Sequence, residues 1–205
     1  MPLMPMLPTQ LLWINLVAAV ALSLPLAFEV REPDAMRRPP RNPQTPILGR
    51  FVILRTVFVA LTMAAGAIGL FLWEYWTEVP LRGHAVALRE AQTMAVTTVV
   101  FFQIFYLFNC LSLRGSVFDV GFFSNRSVFY GIGILLLLQA GFIYLPFMQK
   151  IFGTAPLQAE ALVFSALTAA VILPLITAEK MLSKRLVHRS NPPSDDMTVQ
   201  IERTT

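Results

Sequence analysis

Five long apolar runs, separated by polar and basic segments, organise the chain: roughly Leu7 to Phe28, Phe51 to Trp73, Ala91 to Leu113, Val128 to Phe147 and Gln158 to Ala178. Each is close to the about 20 residues that an α-helix needs to cross a bilayer. None alternates apolar and polar positions as a barrel strand does, so helices are predicted throughout. The expected fold is an all-α membrane protein, a bundle of five transmembrane helices within one domain over residues 1–190. The polar tail, 191–205, is expected to be disordered.

The segments between the runs add direction. The first connector, REPDAMRRPPRNPQTPIL, holds five prolines and reads as an irregular strap along the membrane surface. The second, Glu74 to Glu90, mixes charge with Pro80 and Gly83 and reads as an exposed connector. Lys and Arg divide thirteen to three between the two sides of the spans, the larger share falling on the first connector, the third connector and the tail. Cytoplasmic loops are enriched in these residues, so the N-terminus is expected to be extracytoplasmic and the C-terminus cytoplasmic. MPLMPMLPTQ has neither a charged n-region nor a small-residue cleavage site, so the first span is expected to be retained. An N-out start without a signal suits a chain that once continued upstream.

Composition supports the membrane reading: 56% of residues are hydrophobic and 14% charged, against about 25% charged in soluble domains. The net charge of +4 comes from basic residues in the connectors rather than from a dense stripe, so topology explains it and no nucleic-acid partner is expected. The expected location is the plasma membrane, as a multi-pass protein. The single cysteine, Cys110, has no internal disulfide partner and reads as a small buried hydrophobe.

Candidate chemistry inside the spans is thin. No Asp, Glu, Lys or Arg lies near the middle of any run; Arg55, Glu160 and Glu179 sit near the ends, where long side chains reach the interface. A hard divalent cation needs several oxygen ligands, carboxylates among them, so these five helices alone do not complete a high-affinity site. Asn15 lies in the first run, and Pro25, ten residues on, removes a helical hydrogen bond and loosens the backbone. Asn15 is a candidate cation ligand or gate; spacing alone favours an amide that joins two helices. Gln103, near the middle of the third run, is a second candidate ligand with the same competing role. Tyr106 shares its face, whereas Asn109 points elsewhere and suits a backbone contact near the helix end. Gln139 has no polar partner at helical spacing except Ser or Thr of other helices, and reads as structural. His84, in a connector, and His188, in the tail, read as solvated. The pairs Gly66/Gly69 and Gly131/Gly133 suggest close helix packing. The chain has no phosphate-binding glycine loop, nucleotide motif or catalytic triad, and no catalytic residue is assigned.

Three stretches carry a resemblance. LPTQLLWINLV, its apolar continuation to AFE and then EPDAMRRPPRNPQTPIL resemble the sixth membrane helix and following loop of type II, calcium-pump-like P-type cation-transporting ATPases. FFQIFYLFNCLSLR is similar to the eighth helix of that group, and PFMQKIFGTAPL to its loop between the ninth and tenth. The resemblance spans about Pro5 to Arg185 and implies a C-terminal membrane domain, helices six to ten of a cation pump.

It further implies that the family's helix-six cation ligands fall at Asn15, Ala18 and Ala19, and its helix-eight ligand at Gln103. The chain departs from the family at two of these positions, where alanines stand in place of a hydroxyl and a carboxylate. The DKTGT phosphorylation motif, the nucleotide domain, the TGES loop and the first five helices are not in this sequence. ATP and Mg²⁺ are therefore expected only with a complete pump, and this chain is not expected to hydrolyse ATP alone. The implied partners are the lipid bilayer, the remaining pump domains and the transported cation. The competing reading is a small membrane protein that associates with or regulates a pump, and a self-sufficient channel or carrier is disfavoured by the lack of ionisable groups in the spans.

Overall fold

The computed structural model describes residues 3–18, 50–111 and 126–175. The chain divides into two compact units, Met1–Ile172 and Leu173–Thr205, and of the second only Leu173–Leu175 are described, as helix. Ala19, Pro25, the proline-rich connector, the third connector, Glu179, His188 and the tail 191–205 lie outside the described residues, as do the side chains of Ala18, Asn109 and Cys110.

All regular structure among the described residues is helical. Helix α1 spans Pro8–Ala18. Pro8 suits the first helical position, where its missing N–H would have no partner in any case. The Leu7 carbonyl accepts the first helical hydrogen bonds, from Gln10 and Leu11, which makes Leu7 the N-cap. Gln10 Oε1 accepts from the Leu7 N–H at 3.0 Å, the reach-back half of a capping box. Gln10, Trp13, Ile14 and Val17 are buried, at the spacing that places them on one helical face.

Helix α2, Arg50–Arg82, has 33 residues, and at about 1.5 Å rise per residue it exceeds the roughly 30 Å hydrocarbon core. It passes Trp73, the expected end of the second span, and stops only at Gly83, after which α3, His84–Leu111, begins at once. The reading of residues 74–90 as a connector is thereby corrected to two helix ends and a one-residue turn, while most of the segment, 80–86 included, is exposed as expected. Charge ends the apolar run, but charged residues do not end a helix, and Pro80, in the last turn, gives up only the one hydrogen bond to the Trp76 carbonyl without ending the helix. Gly83 has φ of 81°, a left-handed conformation that side chains disfavour, and it turns the chain into a tight helical hairpin. Tyr75, Ala87 and Glu90 are buried within that hairpin.

Helix α4 spans Arg126–Tyr144 and stops three residues short of the expected Phe147. Leu145 is extended, with φ −77° and ψ 124°, because the following Pro146 disfavours the helical region for the residue before it. The short α5, Pro146–Phe152, leaves at 79° and is closed by Gly153 at φ 64°. Helix α6, Ala159–Ala170, follows.

Helix α3 is the hub: it packs most extensively on α2, then on α6, and also meets α1 and α4. One side carries Ala87, Ala91 and Ala95, small enough to admit Phe71 and Tyr75 of α2. Other α3 residues, Met94, Val100, Ile104 and Leu107 among them, join Trp13 and Ile14 of α1 and Ile132, Leu135 and Phe142 of α4 in the main core. Three hydrogen bonds gather one end of the bundle. Gln92 Nε2 donates to the Met4 carbonyl at 2.9 Å, Gln10 Nε2 to the Phe152 carbonyl at 3.1 Å, and the Ala155 N–H to Thr93 Oγ1 at 3.0 Å. The start of the chain, the hairpin and the α4–α6 connection thus lie together, as expected if successive spans alternate in direction.

Two helical segments, Val52–Arg82 and His84–Leu107, are long and apolar enough to cross a membrane, and the bent α4–α5 pair adds a third if taken as one span. Leu54 and Leu61 of α2 are exposed by 69% and 65%, a surface suited to lipid rather than water.

The glycines divide. A Cβ at Gly66 would lie 2.7 Å from the Phe102 ring and 3.3 Å from Thr168 Cγ2, so this glycine serves close packing of α2 on α3 and α6. A Cβ at Gly69 or Gly133 meets nothing within 4 Å, so the packing role expected for them does not hold among the described residues. Gly66→Ala is expected to destabilise the protein by about 1–3 kcal/mol through overpacking, whereas Gly69→Ala is neutral or slightly stabilising through helix propensity. Unfolding in mixed detergent, followed by circular dichroism, checks the contrast.

Candidate functional site

The rotation of α1 decides what each of its side chains can do. Trp13 is turned inward and 7% exposed. A residue two positions on lies about 200° around a helix, and Asn15 is exposed, sharing its face with Leu11, Leu12 and Leu16. Its amide is therefore on the side of α1 that the other described helices leave uncovered.

Gln103 of α3 is half-buried, and its Oε1 is enclosed without a hydrogen-bond partner. A buried carbonyl oxygen left unpaired costs about 1–3 kcal/mol, so this atom is poised to accept a ligand or donor. Tyr106, one turn away, is half-buried too. No hydrogen bond among the described residues joins Asn15 to Gln103. The two candidates are thus an exposed amide on α1 and an unpaired carbonyl oxygen on α3.

The third amide, Gln139, is the structural node its surroundings in sequence suggested. It is 3% exposed. Its Oε1 accepts from Trp13 Nε1 at 3.3 Å and its Nε2 donates to Thr97 Oγ1 at 3.1 Å, tying α4 to both α1 and α3. Thr97 Oγ1 donates onward to the Thr93 carbonyl at 2.8 Å. Trp13 also stacks on Phe142, with centroids 5.1 Å apart, and packs on Phe152 at 5.3 Å.

At the hairpin end a charged cluster stands where an exposed connector was expected. Arg82 Nη1 donates to Glu90 Oε1 at 2.5 Å, and Arg82 Nε lies 3.1 Å from Glu78 Oε2. The Glu90 side chain is 8% exposed, the Arg82 side chain 40%. A cleft of about 280 Å³ beside them is lined by Glu74, Glu78, Glu90 and Glu160 together with Trp73 and Phe164, whose rings meet edge to face at 5.1 Å. The sequence clue was present in the spacing: Arg82 lies four after Glu78, and only the one-residue turn at Gly83 folds Glu90 back onto it. His84 is exposed, with Nδ1 3.1 Å from the Tyr75 hydroxyl. No group of three or more His, Cys, Asp or Glu among the described residues has the geometry of a metal site.

The comparisons with known proteins bear on the whole bundle. The family described as "Cation transporting ATPase, C-terminus" matches residues 3–182. The chain belongs to this family. It is 38% identical over 192 residues, 93% of its length, to the probable cation-transporting ATPase F of Mycobacterium tuberculosis (strain ATCC 25618 / H37Rv), of which it covers 20%. It is 35% identical over 82% of its length to the calcium-transporting ATPase type 2C member 2 of Mus musculus, covering 17% of that protein. To the cation-transporting ATPase pma1 of Synechocystis it is 31% identical over 75% of its length, again covering 17%. The chain thus spans about a fifth of the length of the curated relatives it matches. Family and apolar helices together make it an integral membrane protein, the C-terminal domain type of a P-type ATPase.

Removing Arg82 leaves the enclosed Glu90 without its countercharge. Arg82→Met is expected to lower stability by about 1–2 kcal/mol, the lower part of the buried-pair range because Arg82 is itself partly solvated, while Glu90→Gln, which keeps an acceptor and removes the charge, costs less. Thermal unfolding of the two variants in one detergent compares them.

Proposed function

We propose that this chain is the C-terminal membrane domain of an ATP-driven cation transporter and contributes part of its ion-binding and translocation path. The observation that carries the reading is the family match over residues 3–182, which runs through α1 and α3, where the candidate ligands stand. The relatives are named for cation and calcium transport, and the transported substrate is correspondingly a metal cation.

Asn15 and Gln103 are the proposed contributions of this chain to the site. Both are neutral amides, whose carbonyl oxygens bind a cation through their dipoles without adding charge. With alanines at positions 18 and 19, most of the ligand charge must come from other parts of a pump. The exposed face of α1 supports this, since an amide on an uncovered helix face has room for ligands from an additional helix. ATP, Mg²⁺ and the phosphoryl chemistry belong to those other parts. The role of the residues in this chain is to present oxygens and to hold α1 and α3 in place.

The proposed topology has five spans in the domain 1–190, with the N-terminus extracytoplasmic and the C-terminus cytoplasmic, in the plasma membrane. Its support is the thirteen-to-three division of Lys and Arg, together with the gathering of residues 3–7, Gly83 and 145–158 at one end of the bundle.

The test is reconstitution with a segment carrying the missing pump domains, either fused or co-expressed, and measurement of cation-stimulated ATP hydrolysis. Asn15→Leu and Gln103→Leu are each expected to raise the cation concentration for half-maximal stimulation by about tenfold or more, the equivalent of one lost ligand interaction, while the protein stays folded. Unchanged cation dependence in both variants makes the two amides helix-joining groups only. Recovery of the chain bound to an already complete pump, whose activity it alters, identifies it instead as a regulator.

A further inference from the structure

The network around Gln139 is larger than one helix contact requires. It begins at the Trp13 indole of α1, passes through the Gln139 amide of α4 to Thr97 of α3, and continues along α3 from Thr97 Oγ1 to the Thr93 carbonyl. The Thr93 hydroxyl in turn accepts from the Ala155 N–H and donates to the Arg89 carbonyl at 2.7 Å. Trp13, Gln139, Thr97 and Thr93 are all buried.

In lipid, packed apolar side chains let a helix slide or rotate at small cost, because lipid tails are as apolar as a leucine. A directional bond to a particular indole N–H does not allow this. The stacking of Trp13 on Phe142 and its tilted contact with Phe152 hold the ring in a slot, and the hydrogen bond to Gln139 fixes its height and orientation there. Because Trp13 and Asn15 are two residues apart on the same helix, fixing one fixes the other about 200° around it.

We infer that Gln139 is a positioning residue for the cation path: by linking the Trp13 indole to Thr97 through its amide, it sets the rotation and height of α1 and so the place at which Asn15 is presented. The functional half of this rests on the cation-site reading of Asn15 given above; the positioning half does not.

The experiment uses the full chain with Cys110→Ala, spin labels on Leu16→Cys of α1 and Leu137→Cys of α4, and pulsed electron–electron resonance in nanodiscs. Both labelled positions are exposed, by 61% and 74%. Gln139→Met keeps the side-chain size and removes both hydrogen bonds, and is expected to broaden or shift the distance distribution. Trp13→Phe is expected to do the same, and the double variant to add nothing beyond Gln139→Met, since the bond that Trp13→Phe removes is one of the two that Gln139→Met already removes. Gln139→Glu, measured at acidic pH so that its carboxyl is protonated, accepts from Trp13 and donates to Thr97, and is expected to restore the native distribution. A distribution unchanged in Gln139→Met, or not restored by Glu, overturns the inference whatever the pump does. In the reconstituted pump, Gln139→Met is expected to raise the half-activating cation concentration by about tenfold, the worth of one such hydrogen bond, with the maximal rate within about twofold. A shifted distance with unaltered cation dependence overturns the functional half alone, since the assignment of Asn15 as a ligand stands or falls with Asn15→Leu.

Discussion

In a bilayer, burying an apolar side chain between helices gains almost nothing over leaving it in lipid, so polar groups and close packing must hold this bundle in register. Three glutamines, Gln10, Gln92 and Gln139, meet that constraint, each almost fully enclosed. Gln92 ties the start of the chain to α3, Gln10 ties the first turn of α1 to the end of α5, and Gln139 ties α1, α3 and α4 together. Remove these and the remaining contacts between α1 and its neighbours are largely between apolar surfaces that tolerate sliding.

The consequence is a division of labour among amides that look alike in sequence. Gln139 spends both ends of its amide on the fold. Gln103 has an enclosed oxygen with nothing to accept, and Asn15 stands on the uncovered face of α1. The proposed cation path uses the two that the fold does not consume. A similar contrast separates the glycines: Gly66 is needed where Phe102 approaches, while Gly69, three residues on, has open space.

The hairpin between α2 and α3 shows how a short connection changes the electrostatics. A loop of ordinary length would leave Glu78, Arg82 and Glu90 in water. The one-residue reversal at Gly83 instead brings Glu90 under Arg82, encloses its side chain and builds an acidic cleft beside the Trp73–Phe164 pair. The same end of the bundle receives α5, which Pro146 turns away from α4 and Gly153 releases. Two glycines in the left-handed region thus set the geometry of that end.

Much of this was legible without coordinates. Hydropathy alone marked helical spans, because a span in lipid must satisfy its own backbone, and the residue order of LPTQLLWINLV and FFQIFYLFNCLSLR pointed to the family. The reading of Gln139 as structural followed from its lack of polar neighbours on its own helix. The helix ends were not legible at residue 73 or 147, since loss of hydropathy marks the edge of an apolar run whereas helices end at Gly83 and before Pro146 through backbone sterics. Nor did spacing distinguish Asn15 from Gln139: an amide in an apolar run looks the same whether a partner faces it or not. Only the packing of α1 against α3 and α4 decided which face of each helix is enclosed, and hydrogen bonding depends on that rotation rather than on composition.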